Sequence, residues 1–403
     1  MKMKDLLAPE RNRCTLTNLI ACTLLVVLLA VVPLADSAVT LIWTMCVFVI
    51  MAASLNITMG FMGQLALGHM GFMAAGAYTA TYFAKFLKDI GMYQSSKEPI
   101  FYLVLVLAIL VGAVAAGIMG LVVGLPALRL RGDYLAILTL GFGLVIKSVL
   151  DNVVGATLNA ADCHLYIPKK GYQGDYLWLI VLITIICIAL MFCFVQSKFG
   201  RAIKSVRDNE IAASASGINT SLYKTIGFVL SAAFAGVAGV LYAAMMSSLL
   251  TNSFTFVSST IYNSVFIVVM VVLGGMGSMT GSIVAGAAMV WLDEILVGFF
   301  KQIPFLSKLA EYPMLLYALV LIIFVMFRPR GIFGTKEFSL YKTIVATPGF
   351  FRSLPERFAQ LKARFSKKPV AVTEAAPADA EEAFAKDEMT SAAEEQNEAK
   401  EER

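Results

Sequence analysis

Long stretches without a charged residue alternate with short charged segments along this chain. The uncharged stretches are residues 14–35, 37–84, 99–128, 176–197, 225–292 and 312–327. Because a transmembrane helix needs about 20 mainly apolar residues, these stretches have room for one, two, one, one, three and one helices in turn. A weaker stretch at 134–153, interrupted by Lys147, adds one more. The pattern predicts an all-α integral membrane protein with about 10 transmembrane helices, or 8–10 if glycine-rich stretches are re-entrant.

Lysine and arginine are unevenly divided between the two ends of the predicted helices. If the N-terminus is cytoplasmic and ten helices alternate in direction, 21 basic residues through Lys368 lie on the cytoplasmic side and seven on the other. Cytoplasmic loops carry the excess of basic residues in membrane proteins. We therefore expect both the N-terminus and the C-terminus to be cytoplasmic.

The two ends of the chain differ in composition from its apolar middle. Residues 1–15 are basic and are expected to be a cytoplasmic N-terminus, and the apolar stretch 16–34 is longer than that of a signal peptide, so we expect it to be retained. Residues 16–330 form the predicted transmembrane domain. Residues 331–366 mix aromatic and basic side chains, as in segments that lie on an anionic membrane surface, whereas residues 367–403 are predicted to be a disordered acidic tail. The alternative for both is a solvated tail without a specific function.

Composition and missing residue types exclude several classes of protein. The chain is 59% apolar and 15% charged, against about 25% charged residues in a typical soluble domain, which excludes a soluble enzyme. The long uncharged stretches lack the carboxylate that a proton-coupled carrier uses, and the sequence has no phosphate-binding loop. Six cysteines without CxxC spacing and two histidines predict no metal centre. We expect a transport protein, not an enzyme, with no cofactor of its own.

Two glycine-rich stretches interrupt the apolar pattern. Glycine permits unwinding and close approach of backbones, and transporters line sites within the membrane with helices broken in this way. Gln64 and His69 have side chains that could bind a zwitterionic or amide substrate, or instead bind backbone groups freed by the glycines. The glycines could equally serve ordinary helix packing. The candidate residues of the translocation pathway are Gly63, Gln64, Gly68, His69, Gly274, Gly275, Gly277 and Ser278.

A charged loop at about residues 198–224 lies between two apolar stretches, on the predicted cytoplasmic side. Residues 208–215 have good helix formers, Asp208 is placed to cap the helix N-terminus, and Gly217 suits a helix C-terminal cap. A short helix held by flanking transmembrane helices is a structure that a soluble motor domain could push. The alternative is a solvated loop without a mechanical role.

This loop resembles the coupling loop of ATP-binding-cassette importer permeases, whose signature is Glu-Ala-Ala, three residues, then Gly. Ala212, Ala213 and Gly217 match the signature, but Ile211 stands at the position of the glutamate and Glu210 precedes it. The longer string, from Gly200 to Asn219, resembles the branched-chain amino acid permease family. Three more segments resemble that family in the same order, at residues 56–78, 129–140 and 274–278. The resemblance covers about residues 40–335, with Leu144 where family members often carry an acid.

The resemblance implies a machine of several subunits in the bacterial cytoplasmic (inner) membrane. This chain would be a multi-pass permease that moves leucine, isoleucine or valine through the lipid bilayer. Its partners would be a second permease subunit, two ATP-binding cassette subunits that bind ATP and Mg, and a periplasmic amino-acid-binding protein, with no role for nucleic acid. The residues that couple it to the ATPases would be Arg207, Asp208, Asn209, Glu210, Ala212, Ala213 and Gly217.

Two other hypotheses remain open at the level of the sequence. The same machine could carry urea, short amides or other amino acids, since no residue in the chain excludes them. A chain of a different class, an ion-coupled carrier or a channel that works alone, would transport without ATPase subunits.

Overall fold

The computed structural model describes residues 36–90, 98–128, 133–157, 177–245 and 264–302, together with residues 326, 331 and 334. The chain divides into two units, residues 1–342 and 343–403, and the described residues all belong to the first. Several predictions fall outside the described residues. They are the N-terminal segment 1–15, the first transmembrane helix at 16–34, most of the last one at 312–327, and, apart from Gly331 and Gly334, the segments 331–366 and 367–403.

The described residues are helical over most of their length. The helices, numbered here in chain order, are α1 Asp36–Asn56, α2 His69–Asp89, α3 Glu98–Ala127, α4 Asp133–Thr157, α5 Leu177–Gln196, α6 Lys198–Asp208, α7 Glu210–Ala215, α8 Thr220–Met245, α9 Ser264–Gly274 and α10 Met279–Gln302. A π-helical turn, Ile57–Phe61, continues α1. The helices α6 and α7 belong to the charged loop, and the others come from the apolar stretches.

Four of these segments are long and apolar enough to cross a membrane: Val39–Phe61, Tyr102–Ala127, Leu177–Gln196 and Thr220–Met245. Shorter apolar helices cover Tyr134–Leu150, Ser264–Gly274 and Met279–Leu292. The prediction of an all-α, multi-pass membrane protein is therefore confirmed for the described part of the chain. The number of about 10 transmembrane helices and the cytoplasmic placement of both termini stay predictions.

Helices α1 and α8 form the centre of the bundle. In the most apolar stretch of each helix, 89% of the residues are buried in α1 and 78% in α8, whereas only 33% are buried in α3. The side chains of α3 that face outward are large and apolar, among them Leu103, Leu110 and Ile118, as expected for a surface in contact with lipid. The indole N–H of Trp43 on α1 donates to the Leu241 carbonyl on α8 over 3.0 Å, which fixes the two central helices against each other.

Three glycines bring α2, α3 and α8 into contact through their backbones. A Cβ atom added to Gly236 on α8 would clash with the Ala116 side chain and lie 2.7 Å from the Gly112 carbonyl oxygen, both on α3. A Cβ added to Gly76 on α2 would clash with the backbone of Gly236. Small residues are what allow membrane helices to approach this closely, since lipid tails provide no hydrophobic force between helices.

We predict that Gly236→Ala lowers the thermal unfolding temperature of the detergent-solubilised protein, because the new methyl group must displace α3 and such overpacking costs about 1–3 kcal/mol. The matched control is Gly117→Ala on α3, whose added Cβ would lie 3.7 Å from its nearest neighbour, the side chain of Ala233. The control should unfold at or above the temperature of the parent, since alanine is the better helix former by about 1 kcal/mol. Equal unfolding temperatures for the two variants would contradict the prediction.

Candidate functional site

The first glycine-rich stretch interrupts a helix between the π-helical turn and α2. Residues 62–68 are not helical, and their backbone donors find nearby partners. The N–H of Met62 donates to the Ile57 carbonyl over 3.1 Å, and that of Gln64 to the Thr58 carbonyl over 3.0 Å. The N–H of Leu67 donates to the hydroxyl of Thr139 on α4 over 3.2 Å. An interruption of this kind is tolerated within a membrane protein because its backbone groups are bound by protein.

The second glycine-rich stretch separates α9 from α10. Gly275 and Gly277 have φ values of 106° and 92°, which only glycine adopts readily. Ser278 caps α10, because its Oγ accepts a hydrogen bond of 3.2 Å from the Gly281 N–H. Across the turn, a Cβ added to Gly274 would lie 2.5 Å from the Gly281 carbonyl oxygen. The role that the structure gives Gly274 and Ser278 is to form a tight turn between two helices.

Asn56, at the end of α1, binds the two interruptions together. Its buried side chain donates from Nδ2 to the Ser278 carbonyl over 2.9 Å, and its Oδ1 accepts from the Gly277 N–H over 3.0 Å. A Cβ added to Gly60 would clash with both Asn56 Oδ1 and the Gly277 nitrogen. We call this contact between the two interruptions, formed by Asn56, Gly60, Gly277 and Ser278, the junction.

Residues beyond α10 also reach the second interruption. A Cβ added to Gly331 would lie 2.6 Å from the Gly275 Cα, and one added to Gly275 would lie 2.6 Å from the Gly334 carbonyl oxygen. The sequence reasoning missed Gly331 and Gly334, although the pair follows a Pro329-Arg330 step that could have indicated a turn. Asn56 was missed as well, and its signal was an amide side chain inside a long apolar helix.

His69 and Gln64 differ in what their side chains contact. His69 begins α2 and is buried, with its Nε2 atom 2.8 Å from the hydroxyl of Ser54 on α1. That hydroxyl donates to the Met51 carbonyl, so the histidine ring is the donor to Ser54 and links α2 to α1. Gln64 has a buried Oε1 atom without a hydrogen-bond partner among the described residues. The amide oxygen of Gln64 is therefore a buried acceptor that the described part of the chain leaves unpaired.

A small cleft lies beside the first interruption, where α2, α4 and α9 meet. Gly68 fits against α4 because it has no side chain, since an added Cβ would clash with the Thr139 carbonyl. The lining is apolar apart from one hydroxyl and includes Leu67, Gly68, Gly71, Leu140, Gly143 and Ser264. Gly68 and His69 therefore contact α4 and α1, whereas Gly63, Gly277 and Ser278 lie around the junction.

The charged loop folds as two short helices, and one predicted cap is wrong. We expected Asp208 to cap a helix over 208–215, but Asp208 ends α6 and Asn209 caps α7, accepting a hydrogen bond of 3.0 Å from the Ala212 N–H. Asn209 has the extended backbone of an N-cap, and the Asp208 carboxylate is occupied by Arg207. Gly217 follows the helix with a φ of 81°, as the C-cap prediction required.

Glu210 is bound within the chain. Its Oε1 atom lies 2.7 Å from Nζ of Lys224 on α8, in a pair whose side chains are 43% and 13% exposed. The pair fastens α7 to the central helix α8. Ala213 lies on the buried face of α7, while Ile211 is 82% exposed and points away from the bundle. The side chain presented outward at this end of the loop is therefore apolar.

Arg207 connects the loop to the junction. Its Nη1 atom donates to the Gly60 carbonyl over 2.7 Å, and its Nε and Nη2 atoms donate to Oδ1 of Asp208 over 3.1 and 3.0 Å. A Cβ added to Gly63 would lie 2.7 Å from Cγ of Arg207. The structure therefore brings a predicted coupling residue into direct contact with a predicted pathway stretch.

Comparisons with known proteins point to one family. The family described as "Branched-chain amino acid transport system / permease component" matches residues 37–325. The high-affinity branched-chain amino acid transport system permease proteins LivM of Salmonella typhimurium and Escherichia coli are each 32% identical over 316 residues, covering 71% of this chain and 67% of the relative. A probable LivM permease protein of Methanocaldococcus jannaschii is 24% identical over 245 residues, covering 58% of this chain and 69% of its own. No solved structure matches.

We predict that Asn56→Ala destabilises the protein, because it leaves the Gly277 N–H and the Ser278 carbonyl without their partner and each buried polar group left unpaired costs about 1–3 kcal/mol. The matched control is Asn152→Ala on α4, where the exposed amide binds its own helix at the Ser148 carbonyl. Thermal unfolding in detergent should place Asn56→Ala well below the control. A control as destabilised as Asn56→Ala would argue against the junction as a specific contact.

Proposed function

The chain belongs to the family of permease components of branched-chain amino acid transport systems, and we propose that it is the membrane-spanning permease subunit of an ATP-binding-cassette importer for leucine, isoleucine and valine. The match of residues 37–325 to that family carries the proposal. The chain is a transport subunit, and the energy for uptake comes from partner subunits.

The proposed assembly has four kinds of subunit and works at the bacterial inner membrane. A second, related permease subunit pairs with this chain, two ATP-binding cassette subunits bind ATP and Mg, and a periplasmic binding protein delivers the amino acid. The excess of basic residues on one side of the predicted helices supports a cytoplasmic charged loop and cytoplasmic termini. In this arrangement the loop faces the ATPase subunits.

The coupling residues of the loop divide into those that shape it and those that face outward. Asn209 and Gly217 flank and cap the two ends of α7, and Glu210 fastens it to α8. Because α8 packs against α1, α2 and α3, a displacement of α7 is passed to the centre of the bundle. Ile211, exposed at the outer surface, then contacts an apolar pocket of the ATPase subunit in place of the usual acidic contact.

The interrupted helices line the path of the substrate in this proposal. A zwitterionic amino acid brings an ammonium group that needs hydrogen-bond acceptors once it leaves water. The buried Oε1 atom of Gln64 is such an acceptor. His69 and the glycines at 63, 68, 274, 275 and 277, with Ser278, hold the shape of the two interruptions around it.

Uptake by purified components tests the function. Proteoliposomes that contain this chain with its second permease, ATPase subunits and binding protein should accumulate labelled leucine when ATP is supplied inside. Vesicles with the chain alone should accumulate none. Accumulation by the chain alone would contradict the proposal and favour a carrier that works by itself. ATP-driven uptake of urea or a short amide in preference to leucine would keep the machine and change its cargo.

We predict that Glu210→Lys uncouples ATP hydrolysis from uptake, because two lysines then repel where a salt bridge fastened α7 to α8. Combining it with Lys224→Glu restores the pair in reversed order and should recover much of the uptake per ATP hydrolysed. The measurement is leucine uptake divided by ATP hydrolysis for both single variants and the double variant, which isolates the coupling between the two residues. A double variant no better than either single one would remove the salt bridge from the mechanism.

A further inference from the structure

We propose that Arg207 is the residue that transmits movement of the charged loop to the junction, by holding the Gly60 carbonyl in one state of the transporter and releasing it in another. This inference rests on the proposed function, because it takes the ATPase subunits as the source of the movement. It assigns Arg207 a role inside the permease, as a positioning residue, and not as a contact with the ATPase.

The Gly60 carbonyl lies where the π-helical turn ends and the helix is interrupted. Carbonyl groups at the end of a helix lack the next turn of donors and carry the negative end of the helix dipole. A guanidinium group there makes a charge-assisted hydrogen bond, which is stronger than a neutral one. The 2.7 Å distance from Nη1 to the carbonyl oxygen fits such a bond. Arg207 thus serves as a cap that α6 supplies to a helix 147 residues earlier in the chain.

The surroundings are shaped for this side chain. A Cβ added to Gly63 would lie 2.7 Å from its Cγ, and one added to Gly277 would lie 3.2 Å from its Nη1. Each interruption therefore has a glycine where Arg207 passes. A second cation of α6 reinforces the contact, since Nζ of Lys204 lies 4.8 Å from the centre of the Phe61 ring.

The contact is also one that can be broken. The Arg207 side chain is 32% exposed and its partner Asp208 is 67% exposed, so water can replace the bonds of the guanidinium when α6 moves. The Glu210–Lys224 pair is less exposed than the Arg207–Asp208 pair, with Glu210 43% and Lys224 13% exposed. We therefore assign the two contacts different tasks. The salt bridge keeps α7 fastened to α8 throughout the cycle, and Arg207 leaves Gly60 when α6 is displaced, which frees the junction to open.

The test uses the co-expressed transporter complex and a cysteine placed in the first interruption. Leu65→Cys, at a position that is 38% exposed, is labelled with a maleimide after the six native cysteines are replaced. With Arg207 present, trapping the ATPases with ATP and vanadate should change the labelling rate about fivefold or more, the lower range of usual coupling between sites. With Arg207→Gln the labelling rate should stay nearly the same whether or not the ATPases are trapped, well below the coupling of about fivefold that is usual between linked sites.

Arg201→Gln is the matched control, because Arg201 is an exposed arginine of the same helix that donates to a backbone carbonyl, that of Gln196, over 3.1 Å. It should keep the full labelling response and the parent ratio of uptake to ATP hydrolysis. If Arg207→Gln assembles poorly, Arg207→Lys replaces it, since lysine keeps the charge but cannot bind Asp208 and Gly60 with a planar fork. The lysine variant should reduce the labelling response at least about twofold, as expected for a weakened coupling.

The outcomes separate this inference from the proposed function. An undiminished labelling response in both Arg207 variants would overturn the inference whatever the cargo. A response that is lost with Arg207, in a complex that fails to take up leucine, would support the inference and overturn the proposed substrate.

Discussion

The need to bind backbone groups freed by broken helices governs this structure. Lipid offers them no partner, so each interruption requires side chains placed by other helices. Asn56 binds the second interruption, Thr139 binds the first, and Arg207 binds the Gly60 carbonyl between them. The interruptions consequently contact each other and the charged loop.

Small residues make these contacts possible because polar side chains can reach a backbone only where helices approach closely. Gly60 leaves room for the Asn56 amide, and Gly236 allows α8 to lie against α3. The helix α8 also carries Lys224, which binds Glu210. The loop therefore has two connections to the bundle, one through the tightly packed α8 and one through Arg207 at the junction. The lysine of the first connection is 13% exposed and the arginine of the second is 32% exposed, so water reaches the second cation more readily.

Much of the helical architecture could be predicted from the sequence because charge is so costly in a bilayer that its absence marks the helices. The glycine-rich stretches likewise predicted where helices stop. The partners of the interruptions could not be predicted, because Asn56 and Ser278 are 222 residues apart and no local pattern relates them. The Asp208 cap was wrong for a local reason: Arg207, its neighbour, occupies the carboxylate and leaves Asn209 to begin α7. The inward pairing of the acid at position 210 was equally unpredictable without knowing where Lys224 lies.

The outward face of α7 lacks formal charge, which determines how salt acts on it. Glu210 and Lys224 neutralise each other, and the exposed residues that remain along this helix, Ile211, Ala212, Ser214 and Ala215, carry no formal charge. Ionic strength acts on exposed charges and has little effect on apolar contacts. A protein docked on this face would be held by shape and dehydration, so salt would weaken its attachment less than it weakens an ionic contact.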